Sequence, residues 1–170
     1  MLQNETPGAI GLPGIYITFT LGSDEHGVHL CDQFAVRASS IRKIIGMQGM
    51  NEPRACVPKY IKGALPLRGQ MIPIVDLRHK MFDVPQKITQ DISIVIVENG
   101  TGSLTGVIVG NDCEATTITA AHILAEAPTG GFLEEHLLGL AIVNSRIIGL
   151  LNNESFLSKA DQKYLTQPVH

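Results

Sequence analysis

Hydrophobic positions along the chain come in short runs, most of them alternating with polar residues and each ended by glycine, proline or a polar pair. That pattern predicts strands joined by turns. Ile15, Tyr16, Ile17, Phe19 and Leu21 form the first run, closed by Gly22 and Ser23, and Phe34, Val36, Ile41, Ile44 and Ile45 resume it after the polar stretch 22–33. Residues 60–78 read YIKGALPLRGQMIPIVDLR, two apolar runs around a Leu67-Arg68-Gly69 corner. Gly69 permits a positive φ there, while Pro66 and Pro73, lacking an N–H, belong at a strand edge or bulge. Ile92 and Ile94 to Val97 predict another strand, Asn99-Gly100-Thr101-Gly102 a turn, and Leu104 with Val107 to Val109 the return strand of a hairpin. Residues 137–141 and 147–151 predict a last strand pair around Asn144-Ser145.

Between these runs the signals are weaker. Residues 79–91, charged and carrying Pro85, predict a connection over the surface, and 119–127 (TAAHILAEA) predict a short helix capped by Thr119 with Ile123 and Leu124 inward. Residues 1–14 predict a flexible arm, 15–152 the folded domain, and 153–170 a short helix over Phe156, Leu157 and Tyr164 followed by a loose tail. No exact internal repeat exists, yet 106–118 (GVIVGNDCEATTI) repeats the logic of 35–45, a buried strand start followed by a polar stretch that recovers hydrophobicity.

Composition narrows the function classes. At 170 residues, 44% hydrophobic and 17% charged, the chain is long enough for one domain with a real core. Seventeen glycines and nine prolines favour a β-rich architecture over a helical bundle. A net charge of −3 gives no basic field for nucleic acid, and no aromatic ladder offers bases a stacking platform. The opening MLQNETPGAIGLPG lacks the basic and apolar regions of a leader, and no segment approaches the roughly 20 apolar residues of a membrane span, so the expectation is a soluble cytoplasmic protein with no direct membrane insertion. Cys31, Cys56 and Cys113 are scattered and fit a reducing compartment.

Catalytic chemistry is hard to find. No nucleophile elbow, phosphate-binding loop or dinucleotide fingerprint is present. His26, His29, Cys31 and Asp32 lie close together, and on a strand His29 and Cys31 would share a face, but a closed metal site needs about four ligands and a polar loop with one inward thiol is the simpler reading. Asp76 is a carboxylate inside an apolar segment; accepting hydrogen bonds from backbone or Arg78 explains it better than acid–base work. Arg68 has another character. A guanidinium on a rigid glycine corner can reach a partner's carboxylate or carbonyl, although a surface arginine that solubilises a turn has the same sequence.

Ile61-Lys62-Gly63, Leu67-Arg68-Gly69 and Pro73-Ile74-Val75-Asp76-Leu77-Arg78, at their mutual spacing, resemble the signature of CheW-like domains, the modules that couple bacterial chemoreceptors to a histidine kinase. The resemblance runs from about Ile15 to Leu151. It also takes in Phe34-Ala35-Val36 as the start of the second strand and Leu138-Gly139-Leu140 near the end. It implies a mainly β protein of two small antiparallel β-barrel-like subdomains packed together, with a few short helices. It implies a noncatalytic adaptor, without cofactor or metal, whose partners are the chemoreceptor cytoplasmic tip and the regulatory domain of the kinase. Carried over by position, Arg68 is the receptor-docking residue with Ile41, Lys43, Lys62 and Leu67 around it, Gly63 and Gly69 hold the backbone shape, and the kinase-binding residues are unassigned. Two departures stand out: the connection 22–33 is longer than the family's tight hairpin, and Lys43 stands where the family often has an acid. The same module could serve pilus motility or another chemosensory system, could have lost its receptor role, or, in a different class, could be a small metal- or ligand-binding barrel with 26–32 as a lid.

Overall fold

A computed structural model describes residues 12–22, 31–47, 50–51, 57–125, 135–158 and 161. Strands β1 (Gly14–Phe19), β2 (Gln33–Arg37), β3 (Ile41–Gly46), β4 (Ile61–Leu67) and β5 (Gln70–Val75) precede a short helix, α1 (Leu77–Phe82). Strands β6 (Ile92–Glu98), β7 (Leu104–Gly110), β8 (Glu114–Ile118), β9 (Leu137–Val143) and β10 (Arg146–Leu151) follow it. They pair into two five-stranded sheets, ordered β8-β1-β2-β10-β9 and β3-β6-β7-β5-β4.

The two sheets are built alike. Advancing every strand of the first half by five turns one order into the other: hairpin β1–β2 corresponds to β6–β7, β4–β5 to β9–β10, and the antiparallel pairing of β8 with β1 to that of β3 with β6. Each half places its first hairpin in one sheet and its other three strands in the other. The pattern shared by 35–45 and 106–118 is therefore structural, β2–β3 and β7–β8 being equivalent. Each sheet contains one parallel join, β10 with β2 and β5 with β7, so the expected antiparallel subdomains are antiparallel only in their other pairings. In pairing order the sheets are open, with β8, β9, β3 and β4 at their edges.

Burial follows the strand period of two. On β6, Ile92, Ile94 and Ile96 join Leu65, Ile72 and Ile108 inside the second sheet, while Val95 and Val97 face the first sheet with Phe19, Phe34, Val36, Val107 and Leu151. Because both faces are covered, the strand reads as a continuous apolar run. Tyr16, Ala35, Ile118, Ile148 and Leu150 fill the interior of the first sheet together with Leu12. Phe156 and Leu157 pack into the shared core after a single 3-10 turn, Asn153–Ser155.

Two local expectations need correction. Residues 79–91 do not form only a surface connection. Asp76 caps α1 by accepting from the His79 N–H at 3.1 Å, and Leu77, Arg78 and Met81 are buried. The helix expected over 119–127 is one 3-10 turn, Ala120–His122, after which Ile123 runs extended and bridges Ala141; Leu124 is exposed. Thr119 opens that turn, its N–H donating to His122 Nδ1 at 3.0 Å and its carbonyl accepting from His122 N. Pro66 lies on edge strand β4 and Pro73 on the part of β5 ahead of the β7 ladder, so, as expected, neither stands in a strand paired on both sides.

Candidate functional site

Hairpin β4–β5 reaches beyond its own sheet. Gln70 to Pro73 pair with β4 but lie ahead of the β7 ladder, so the outer part of the hairpin is a two-stranded ribbon. At its tip Arg68 and Gly69 both have positive φ, 51° and 78°, the geometry of a tight hairpin turn that matches strand twist. Gly69 takes this conformation without strain, and a Cβ there would meet open space, so backbone angle alone selects glycine. Arg68 takes it against the preference of a long side chain. It is exposed, with no hydrogen-bond or ion-pair partner among the described residues. Pro66, Gln70 and Met71 beside it are exposed as well, Met71 by 53%, and Leu67 is half-buried against the interior of the second sheet.

The other residues proposed from sequence are placed around this tip in different ways. Register carries Lys43 through Ile96, Gly106 and Ile74 to Gly63, so Ile41 and Lys43 lie on the opposite edge strand, level with the base of the ribbon. Both edges of the sheet nevertheless line one interior, since Ile45 and Met47 pack with Leu65 and Leu67. Ile41 is half-buried and Lys43 exposed. Gly63 follows a register shift, and a Cβ there would collide with the backbone oxygen of Asn51, which pairs with Ala64. Lys62 is the residue that departs from the grouping. It lies six positions before Arg68, roughly 20 Å along a strand, and its Nζ is 2.8 Å from Nδ1 of His79 on α1.

Other candidate chemistry resolves into structure. Asp76 is fully buried and accepts from His79 N, Gln86 N and Gln86 Nε2, which ties the exit of β5 to the loop that follows. Burial, with Asp32 adding to it, pushes the Cys31 thiol up to about 12, so the sulfur stays protonated. Asp32 accepts from the Ile147 N–H at 2.8 Å. His26, His29 and most of the stretch 22–33 lie outside the described residues. A cleft of about 520 Å³ opens between the sheets beside Tyr16, Arg37, Arg42 and Glu98. Its cations already have partners: Arg37 donates to Pro13 O and Tyr16 OH, and Arg42 pairs with Glu98 and Ser39 O.

A group that sequence reasoning overlooked joins α1 to the end of the chain. Lys80 Nζ donates to the carbonyls of Ser155 and Phe156, each at 2.8 Å, and lies 3.4 Å from Asp161 Oδ2, while the Tyr60 hydroxyl donates to Asp161 Oδ1. Burial pushes the Asp161 carboxyl up, but hydrogen bonds from Tyr60 and Ser158 together with Lys80 outweigh it and hold it below the usual range. Burial lowers Lys80, partly offset by Asp161. Only the length of sequence between Lys80 and Asp161 hid the group, since each residue type is common on surfaces.

Comparison with known proteins agrees with this architecture. The model of the CheW-like domain matches residues 16–161. The chemotaxis protein CheW of Klebsiella aerogenes is 29% identical over 150 residues, covering 86% of this chain and 82% of that protein. The crystal structure of the scaffolding protein TtCheW from Thermoanaerobacter tengcongensis has a TM-score of 0.71 at 19% identity, covering 88% of this chain and 91% of that one. With two equivalent five-stranded sheets, a projecting Leu67-Arg68-Gly69 turn and a family match over nearly all of the folded chain, this protein belongs to the CheW-like domain family.

Proposed function

We propose that this chain is a noncatalytic adaptor of chemotaxis signalling that couples chemoreceptors to a histidine kinase, and that it docks the receptor through the tip of hairpin β4–β5. The observation that carries the docking site is Arg68: an exposed guanidinium, without a partner among the described residues, kept at φ 51° on a rigid turn. A strained conformation at a residue that stabilises nothing around it points to use outside the chain. Pro66, Leu67 and Met71 supply apolar contact beside the charge, and Lys43 at the level of the ribbon's base adds a second exposed cation. This display matches an acidic receptor surface, and Lys43 in place of an acid calls for a complementary acid on the partner. The protein would act in the cytoplasm beside membrane-bound receptors; no helix among the described residues is long and apolar enough to cross a membrane.

Recovery of partners from native cytoplasm with wild type and Arg68→Ala in parallel tests this. Wild type retains a receptor and a kinase, whereas Arg68→Ala keeps the kinase and its melting temperature but weakens the receptor by about 1.5–3 kcal/mol. Equal receptor affinity in both proteins removes Arg68 from the site, and absence of both partners from folded wild type removes the adaptor role.

A further inference from the structure

Lys62 and His79 are 17 positions apart and come from different elements, the base of β4 and the first turn of α1. An ammonium has donors only, so at 2.8 Å the Nδ1 of His79 must be the acceptor. The ring is then neutral with its proton on Nε2, which faces Asp83 Oδ1 at 3.6 Å. The imidazole is held in place from its own backbone, since His79 N–H donates to Asp76 and His79 O accepts from Asp83 N. Its side chain is only 12% exposed, so it has little room to turn away. Among the described residues, the charged side chains facing the ring are Lys62 from β4 and Asp83 from the end of α1; Asp76 touches only the backbone N–H.

A second proton on this ring would occupy Nδ1 and point at the ammonium. The bond cannot survive that, because both groups would then be cationic donors. Lys62 has a flexible four-carbon stem and is the partner free to move. It sits at the register shift between Ile61 and Gly63, at the base of the hairpin whose tip carries Arg68, so a released ammonium adds an unbound cation at that base. We propose that His79 is a positioning residue that holds Lys62 against α1 while its ring is neutral and frees it on protonation, making the charge displayed by β4 dependent on pH. The clamp stands on geometry alone; its effect on docking rests on the receptor reading above.

Side-chain NMR of the full chain tests the clamp. At pH 8 the His79 ring should show the Nε2–H tautomer with an ordered Lys62 ammonium, and at the acid pH where the same spectra show the ring doubly protonated Lys62 should become mobile. His79→Gln retains an acceptor that does not titrate and should keep Lys62 ordered at both pH values; His79→Phe should leave it mobile at both. An Nδ1–H tautomer at pH 8, or equal Lys62 order across pH in wild type, overturns the proposal. Affinity for a soluble cytoplasmic chemoreceptor fragment forms the second arm. From pH 8 to that acid pH the wild type should gain about threefold relative to His79→Gln, as one added surface ion pair allows. The same pH dependence in both proteins overturns the role in docking. No binding of wild type at either pH, with the NMR response intact, overturns the receptor reading and leaves the clamp standing.

Discussion

The corner that ends β5 and the corner that ends β10 are equivalent places in the two halves, and they are tied down by different chemistry. At the first, Asp76 N donates to Tyr60 O and the fully buried carboxylate accepts three hydrogen bonds while capping α1. At the second, Asn152 N donates to His136 O and the half-buried amide makes two longer contacts, 3.2 Å from Glu154 N and 3.3 Å to Glu135 O, before one 3-10 turn. The two corners then meet, as Lys80 of α1 donates to the carbonyls of Ser155 and Phe156 beyond the second. Equivalent topology therefore sets where a corner must be satisfied and leaves open how. A buried charge with several donors makes the first corner rigid, next to the hairpin proposed to dock the receptor.

Substitutions at the paired positions should expose this asymmetry. Asp76→Ala leaves the Gln86 N–H and one of its two Nε2–H donors without an acceptor in the core, the other keeping Ile108 O, and should cost about 3 kcal/mol in urea unfolding. Asn152→Ala should cost only about 1 kcal/mol, the loss of a cap. Equal costs would mean the two corners are energetically alike.

A smaller effect separates Tyr60 from His136. Burial holds the His136 pKa below its ordinary 6.5, so the unfolded chain takes up a proton first as the pH falls. The stability linked to this group is fully present above about pH 6.5 and is lost on acidification through the lower folded value. Melting temperature should therefore fall below that pH, and His136→Gln should flatten the acid side of the profile; an unchanged profile would show that His136 contributes nothing to it.

The smallest effect distinguishes the two hairpin tips. Asn144 and Ser145 have positive φ, 51° and 64°, as Arg68 and Gly69 do. Asparagine visits that region readily and arginine does not. Arg68→Gly should stabilise the fold by about 0.5–1 kcal/mol while weakening receptor docking, whereas Asn144→Gly should change stability by a few tenths at most. A loss of stability in Arg68→Gly would show that the arginine supports its own turn.

Much of this was readable in advance, for identifiable reasons. Period-two burial is a local property, so β1, β6, β7 and the β4–β5 and β9–β10 hairpins follow from their own residues. The Leu67-Arg68-Gly69 corner follows from glycine's tolerance of positive φ. The stretch after Thr119 was misread because helix propensity is a weak preference: pairing Ile123 with Ala141 and packing it, half-buried, against the interior of the first sheet prevails over it. Helix α1 was missed because six residues give no periodicity to detect, and its cap acts mainly through a buried partner ten positions away, Gln86.

By itself, then, the sequence determined most of the strands, their hairpin turns, the family signature and the one arginine on a corner. Tertiary structure alone decided which half contributes to which sheet, that Ile41 and Lys43 lie across the sheet from Arg68, that Lys62 is bound to His79, and that Lys80 closes on the chain's last described residues. Local pattern records only what a residue does with its near neighbours. A parallel join, an exchange of strands between sheets and a lysine with its acceptor on another element depend on contacts between distant segments, whose closure no local period encodes.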